Sequence, residues 1–138
     1  MKDFILTGEG TVGVEWIDEN SHMNMMWYTH LVDQASQVLF EKMEIAREDF
    51  TLVAARVVTI HRRELRLGDV WQTWSGLTDI ANKSFTCTHK IVSAKGIAAR
   101  SEMTVVPFDR NTRLSTEFSG NHLLQAKRFL VDGIKKLH

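Results

Sequence analysis

The chain contains a single cysteine (Cys87), a single proline (Pro107) and a single tyrosine (Tyr28) among its 138 residues. One cysteine excludes an intrachain disulfide and fits a reducing compartment. Net charge is absent as well: 17 Lys and Arg balance 17 Asp and Glu. Bulk charge therefore gives no attraction for nucleic acid or an anionic membrane surface, and it leaves self-association permitted. Long apolar runs are missing, so neither a membrane-spanning helix nor a signal peptide is expected, and a cytoplasmic location fits best. No repeat, low-complexity tract or Pro/Gly/Ser-rich linker divides the chain, so residues 1–138 read as one domain. With 43% apolar residues that domain can bury a sizeable core. A G-x-S-x-G elbow and an evident Ser/His/Asp set are also missing.

What is present begins with periodicity. Val12, Val14 and Trp16 alternate, which predicts a strand over about Gly10–Trp16. From about Asn24 to Met43 the period becomes helical: Trp27, Leu31, Ala35, Val38, Leu39 and Met43 form one broad stripe, and Asn24 or Ser21 is placed to cap it. Thr51–Leu67 is rich in β-branched residues and changes phase between Ile60 and Leu65, which predicts a bulge or bend. Gly68-Asp69 reads as a turn, and strands are predicted over Val70–Ile80, Ser84–Val92 and Ile97–Phe108, joined by tight turns at Asn82-Lys83 and Lys95-Gly96. Short connections of this kind make an antiparallel meander. The tail, from about Ser119 to Leu137, predicts a helix with Leu123, Ala126, Leu130, Ile134 and Leu137 on one side and Lys135 and Lys136 suiting its C-terminal end. The fold class expected is α+β: an antiparallel curved β-sheet wrapped around one long central α-helix, with a C-terminal helix.

Chemistry concentrates in Asp18-Glu19-Asn20-Ser21-His22-Met23-Asn24, just before the long helix. A carboxylate, an imidazole and two carboxamides meet there at a helix N-terminus, whose unpaired N–H groups can stabilise a developing negative charge. Taken residue by residue, the run also admits quieter roles. Asp18 suits a turn before a helix, Asn20 and Asn24 suit turn and cap positions, and His22 suits a surface hydrogen bond. Tyr28 suits packing with a bonded hydroxyl. No Cys or paired His lies at metal-ligand spacing, so no metal is expected. His61 and His89 fall on predicted strands, and Cys87 alternates with apolar neighbours as a small core residue. Trp71 and Trp74, three apart in a strand, must face opposite sides. With Trp16 and Trp27 they raise the expectation of an aromatic-lined pocket, suited to an aromatic or quaternary-ammonium group.

Three stretches carry a family resemblance. Val14-Glu15-Trp16-Ile17-Asp18, followed by Asn20, His22, Met23, Asn24 and then Tyr28, resembles the hotdog-fold thioesterases close to the 4-hydroxybenzoyl-CoA thioesterase-like family. The Asp-x-Asn-x-His-x-Asn spacing from Asp18 to Asn24 is also similar to the active-site run of plant acyl-carrier-protein thioesterases. Arg62-Arg63-Glu64-Leu65-Arg66-Leu67-Gly68-Asp69 resembles the family stretch that ends in Gly-Asp before a strand. Two departures stand out: Ser21 where many relatives carry glycine, and a bulky Trp27 before Tyr28 that would reshape the acyl pocket.

The resemblance implies a hotdog domain that hydrolyses an acyl-CoA thioester. Asp18 would be nucleophile or general base and the backbone N–H of Met25, or a neighbour, the oxyanion donor. Asn20 and His22 would orient water or substrate. Asn24, Trp27 and Tyr28 would bind the substrate, and Arg62 and Arg63 would meet the phosphates of coenzyme A or form a solvated strand edge. No cofactor is implied beyond coenzyme A as part of the substrate, no nucleic acid or membrane partner is expected, and a homodimer or dimer of dimers with a shared site is. Two other readings stay open. Hotdog enoyl-CoA hydratases place Asp and His one residue further apart, often with proline between. A non-catalytic acyl-CoA-binding module would be expected to carry a further DNA-binding segment, and none is visible.

Overall fold

The computed structural model describes residues 3–45 and 50–131. Among these residues six strands and two α-helices form: β1 (Ile5–Thr11), α1 (Met25–Met43), β2 (Phe50–His61), β3 (Val70–Ile80), β4 (Phe85–Ser93), β5 (Gly96–Asp109), β6 (Leu114–Ser115) and α2 (Gly120–Lys127). All strand pairs are antiparallel, in the order β1-β3-β4-β5-β2, with β6 on the end of β5. This is the expected α+β hotdog architecture, a curved sheet against one long helix.

Alternation in the strands produces the face that α1 covers. Leu77, Cys87 and Met103 lie in one row across β3, β4 and β5, and Ser75, His89 and Ser101 in the next. Every one of these side chains is buried. From the helix come Tyr28, Leu31, Val32, Ala35, Leu39 and Met43, spaced at three and four residues and all inaccessible. Burying each of the larger aliphatic side chains contributes roughly 1.5–3 kcal/mol, so this seam holds the two layers together. The α1 N-cap is Asn24, and the helix stops at Glu44, whose φ of 56° turns the chain out of the helix.

Three expectations are corrected. The predicted strand over Gly10–Trp16 is not one: β1 lies earlier, and Val14–Trp16 form a single 3₁₀ turn. Its apolar residues alternate for unrelated reasons. The Val12 backbone pairs with Gly68 and Asp69, Val14 projects into solvent, and Trp16 stacks on Trp27 with centroids 4.9 Å apart. The strand predicted over Thr51–Leu67 leaves the sheet at His61, and its register shift falls between Ala54 and Arg56 rather than after Ile60. The helix predicted over Ser119–Leu137 ends at Lys127. Beyond it the Leu77 N–H donates to the Phe129 carbonyl and the Val131 N–H to the Leu77 carbonyl, so the chain joins the edge of β3 instead. Ile134, Lys135, Lys136 and Leu137 lie outside the described residues.

Two glycines make these paths possible. Gly68, at φ 85°, closes the turn in which the Asp69 N–H donates to the Arg66 carbonyl and the Asp69 carboxylate accepts from the Arg66 N–H. Gly76 leaves room for Val131, whose side chain occupies the place of a β-carbon.

Candidate active site

The Asp18 run is a closed loop, stitched on both sides. Its ends form an isolated antiparallel bridge between Ile17 and Met23. Inside it the Asp18 N–H donates to the His22 carbonyl (3.2 Å) and the Ser21 N–H to the Asp18 carbonyl (3.0 Å). Ser21 adopts φ 61°, the left-handed conformation for which glycine is the default, so the departure at this position keeps the turn. Met23 is buried in the core, and its N–H donates to the Leu65 carbonyl at 2.7 Å. The Asn24 N–H reaches back to the Trp16 carbonyl.

One side chain joins helix and carboxylate. Asn24 Oδ1 accepts from the Met26 N–H (2.9 Å), capping α1, while its Nδ2–H donates to Asp18 Oδ2 (2.9 Å). The other oxygen, Asp18 Oδ1, accepts from the Asn20 N–H at 2.8 Å. These two donors, the Asn20 amide first and the Asn24 carboxamide second, hold the Asp18 carboxyl below its ordinary range. It is therefore ionised throughout neutral pH. The Met25 N–H, at the first helical position, has no hydrogen-bond partner among the described residues.

His22 faces Asp18 with its Nε2 4.0 Å from Oδ1. Its Nδ1 lies 3.0 Å from Glu64 Oε2, an interaction that spans 42 residues. An ionised carboxylate can only accept, so Nδ1 carries the proton and, in the neutral ring, Nε2 is left as the free lone pair. Glu64 is itself clamped by Arg66, whose Nε donates to Oε1 at 2.8 Å. The His22 bond first, and Arg66 second, lower the Glu64 carboxyl from its usual value. The result is a line of three groups, Asp18, His22 and Glu64.

Tyr28 explains how Glu64 arrives there. Strand β2 runs back along α1 and delivers residues 61–65 to the start of the helix. The buried Tyr28 hydroxyl accepts from the Leu65 N–H (3.1 Å) and donates to the Arg63 carbonyl (3.4 Å), and its ring meets His61 edge to face. Burial pushes the Tyr28 hydroxyl up from its ordinary value, so it stays protonated and structural.

A cavity of about 450 Å³ opens at this junction. His22, Met23, Met25 and Tyr28 bound it on the helix side, and His61, Arg62, Arg63 and Glu64 on the other. Of the residues expected to bind substrate, Tyr28, Arg62 and Arg63 are thus brought together with His22 and Met25. Asp18, with Asn20 and Asn24 bonded to it, is not part of the lining and meets the cavity through His22, whose Nε2 is 4.0 Å from Oδ1. Trp27 is elsewhere: it stacks on Trp16 and edges His30, and Trp16 stacks in turn on Trp71, at 6.2 Å. Trp74 lies on the opposite face of the sheet from Trp71, as its spacing requires. A cavity of about 470 Å³ lies farther along the same α1–β2 seam, between Ser36 and Phe40 on one side and Leu52 and Ala54 on the other. Glu64 and His61 carried no functional reading in the sequence. The Arg62–Asp69 segment did stand out, but no local spacing pairs Glu64 with His22. Among the described residues no three His, Cys, Asp or Glu side chains converge on a point that could hold a metal ion, and no helix is long and apolar enough to cross a membrane.

The family model of the thioesterase-like superfamily matches residues 12–127. The chain belongs to the thioesterase-like superfamily. The match takes in the Asp18 loop, α1 and all of β2–β5, and membership makes the chain a thioester hydrolase. Solved structures repeat the fold. A Staphylococcus aureus protein characterised in complex with CoA is 22% identical, with a TM-score of 0.78 over 100% of this chain and 92% of that one. A Bacillus stearothermophilus protein described as a predicted thioesterase is 15% identical, with a TM-score of 0.83 over 91% and 96%. A 1,4-dihydroxy-2-naphthoyl-CoA thioesterase from Synechocystis is 15% identical, with a TM-score of 0.75 over 88% and 95%. No curated protein sequence matches the chain.

Proposed function

We propose that this thioester hydrolase acts on acyl-CoA thioesters at the start of α1, with Asp18 as nucleophile or general base. The observation that carries the reading is the junction of Asp18, Asn24 and the α1 N-terminus. The residue that caps the helix also orients the carboxylate, so attacking group and oxyanion donors share one rigid frame. The thioester carbonyl oxygen takes the free Met25 N–H. The carbonyl carbon then meets either Asp18, giving a mixed anhydride that water cleaves, or a water molecule that Asp18 deprotonates. In both routes the C–S bond breaks and the CoA thiolate leaves without strong acid assistance. His22, held by Glu64, presents Nε2 beside Asp18 and orders the water. Arg62 and Arg63 at the cavity mouth meet the CoA phosphates. The Staphylococcus aureus structural relative solved with CoA supports this choice of carrier.

A second copy completes the assembly in this reading. Among the described residues strand β2 is paired on one side only, by β5, and carries the exposed apolar residues Val53 and Val57 along an open edge. Edges of this length are normally covered, and a two-fold partner pairing along β2 covers both copies at once. The cavity borders the His61 end of that strand, so the partner's edge would wall it.

A thiol-release screen across short, long, aromatic and cationic acyl-CoAs tests the reading, with Asp18→Asn as control. Hydrolysis by the wild type and its loss in the variant are expected. Undiminished turnover in Asp18→Asn would overturn the assignment of Asp18, and release from no thioester would leave an acyl-CoA-binding module. A fully active monomer in sedimentation would remove the shared site.

A further inference from the structure

One row of side chains leads along α1 away from the candidate active site. Met25, Thr29, Asp33, Gln37 and Glu41 follow one another at four-residue steps, so they lie along the same side of the helix. The row starts at Met25, whose N–H is the oxyanion donor of the proposed reaction. It reaches Asp33 about 12 Å farther along the axis and Glu41 about 24 Å. Its last three members border the second cavity on the α1–β2 seam, of about 470 Å³.

The floor of that cavity is apolar. Met103 and Val105 come from the helix-facing side of β5 and are buried, while Phe40 and Leu52 pack against the core with part of their surface still open. The rim is acidic. Asp33 and Glu41 are the only charged side chains in the lining, and both are negative. The Asp33 carboxylate accepts from Gln37 Nε2–H at 3.0 Å, which holds it at the rim. Among the described residues no Lys, Arg or His comes within 4.0 Å of either carboxylate. No third His, Cys, Asp or Glu among those residues joins them to make a metal site. Two carboxylates without a counter-ion, set over an apolar floor, attract a cation that carries apolar surface of its own.

We propose that this cavity receives the acyl part of the thioester, and that Asp33 and Glu41 select an acyl group ending in an alkylated ammonium. This selection rests on the acyl-CoA reading of the Asp18 site and adds to it the charge of the substrate. The carboxylates supply the opposite charge, Phe40 one aromatic face, and Leu52, Met103 and Val105 the apolar contact. Trp16, Trp27 and Trp71, stacked on one another, take no part.

The experiment varies charge at constant shape. Trimethylammonio-acyl-CoAs of increasing chain length are each paired with the neutral isostere in which carbon replaces the ammonium nitrogen. The CoA phosphates are common to both members of a pair and cancel. Thiol release gives kcat/KM for the wild type, Asp33→Asn, Glu41→Gln and the double variant. Thermal melting with the non-hydrolysable oxoalkyl thioethers of the same pairs reads binding without hydrolysis. At the chain length that reaches the rim, the wild type is expected to favour the cation roughly tenfold, and less so as salt is raised. Each single variant is expected to lower that ratio severalfold, and the double variant to abolish it. The thioethers are expected to show the same order in binding. A ratio at or below one at every length, or a wild-type ratio retained in the double variant, overturns the charge selection and leaves the hydrolase reading standing. Hydrolysis of no thioester overturns the hydrolase reading instead, and the thioethers then decide the cavity alone. A cation preference lost in the double variant upholds the selection, and equal binding of both members, or binding of neither, overturns it.

Discussion

His89 makes acid a specific threat to this fold. It is fully inaccessible, on β4 beneath α1. Its Nδ1 lies 2.6 Å from the Ser75 hydroxyl, which in turn lies 2.8 Å from the Thr7 hydroxyl, while Nε2 has no partner among the described residues. A proton added at Nε2 would have no acceptor among the described residues, and burial pulls the imidazole from 6.5 down to about 4. The unfolded chain suffers no such penalty. It takes up the proton as pH falls through 6.5, whereas the folded chain does so only near 4, and stability is lost across that interval. At 1.36 kcal/mol per unit, the full loss is about 3 kcal/mol, and at pH 4.5 it is already about 2.5 kcal/mol. Urea unfolding at pH 7.5 and 4.5, compared between wild type and His89→Asn, isolates the effect. The asparagine amide stands where Nδ1 bonds Ser75, and the titrations of Asp18, Glu64 and the other carboxylates cancel in the comparison. His89→Asn is expected to be less stable than wild type at pH 7.5, because it leaves a small void. That deficit should shrink, or reverse, by about 2.5 kcal/mol at pH 4.5. An equal deficit at both pH values would refute the reasoning.

Three further outcomes are expected. Asn24→Ala removes the α1 cap and one of the two donors on Asp18; it should cost about 1 kcal/mol in urea unfolding, and it should move the acidic limb of the pH–rate profile upward as the Asp18 carboxyl becomes more basic. Tyr28→Phe leaves the Leu65 N–H and the Arg63 carbonyl without their partner, and a stability loss of about 1–3 kcal/mol is expected from the same measurement, with kcat reduced as Glu64 loses its support. Gly76→Ala drives a methyl group into Val131; calorimetry should show about 1–3 kcal/mol of destabilisation, and hydrogen exchange should show the Val131 and Leu77 amides losing protection.

Most of the fold is legible in the residue pattern, and where it is not the reasons are particular. Helix α1 runs over Met25–Met43 because its apolar stripe keeps a helical period throughout and Asn24 caps it. Strands β3, β4 and β5 fall within about a residue of their predicted bounds, since turns at Asn82-Lys83 and Lys95-Gly96 fix both ends. Strand β1 escapes notice: its Gly8, Glu9 and Gly10 contain no apolar alternation, and the real alternation nearby belongs to a turn whose tryptophan is held by ring stacking. Phe129–Val131 continue the apolar pattern but pair with β3, a path open because Gly76 admits Val131.

For the candidate site, the sequence alone determined which local stretch holds the polar groups. Asp18, Asn20, His22, Asn24 and Met25 are neighbours in the chain, and turn geometry plus a helix cap bring them together whatever the rest of the molecule does. Tertiary structure alone decided which of them are connected to anything else. Glu64 reaches His22 across 42 residues because β2 runs back along α1 and the Tyr28 hydroxyl pins its exit. The same packing takes Trp27 away from the cavity. Short-range order follows from spacing along the chain, whereas contacts between distant residues depend on strand register, which the buried faces of helix and sheet select together.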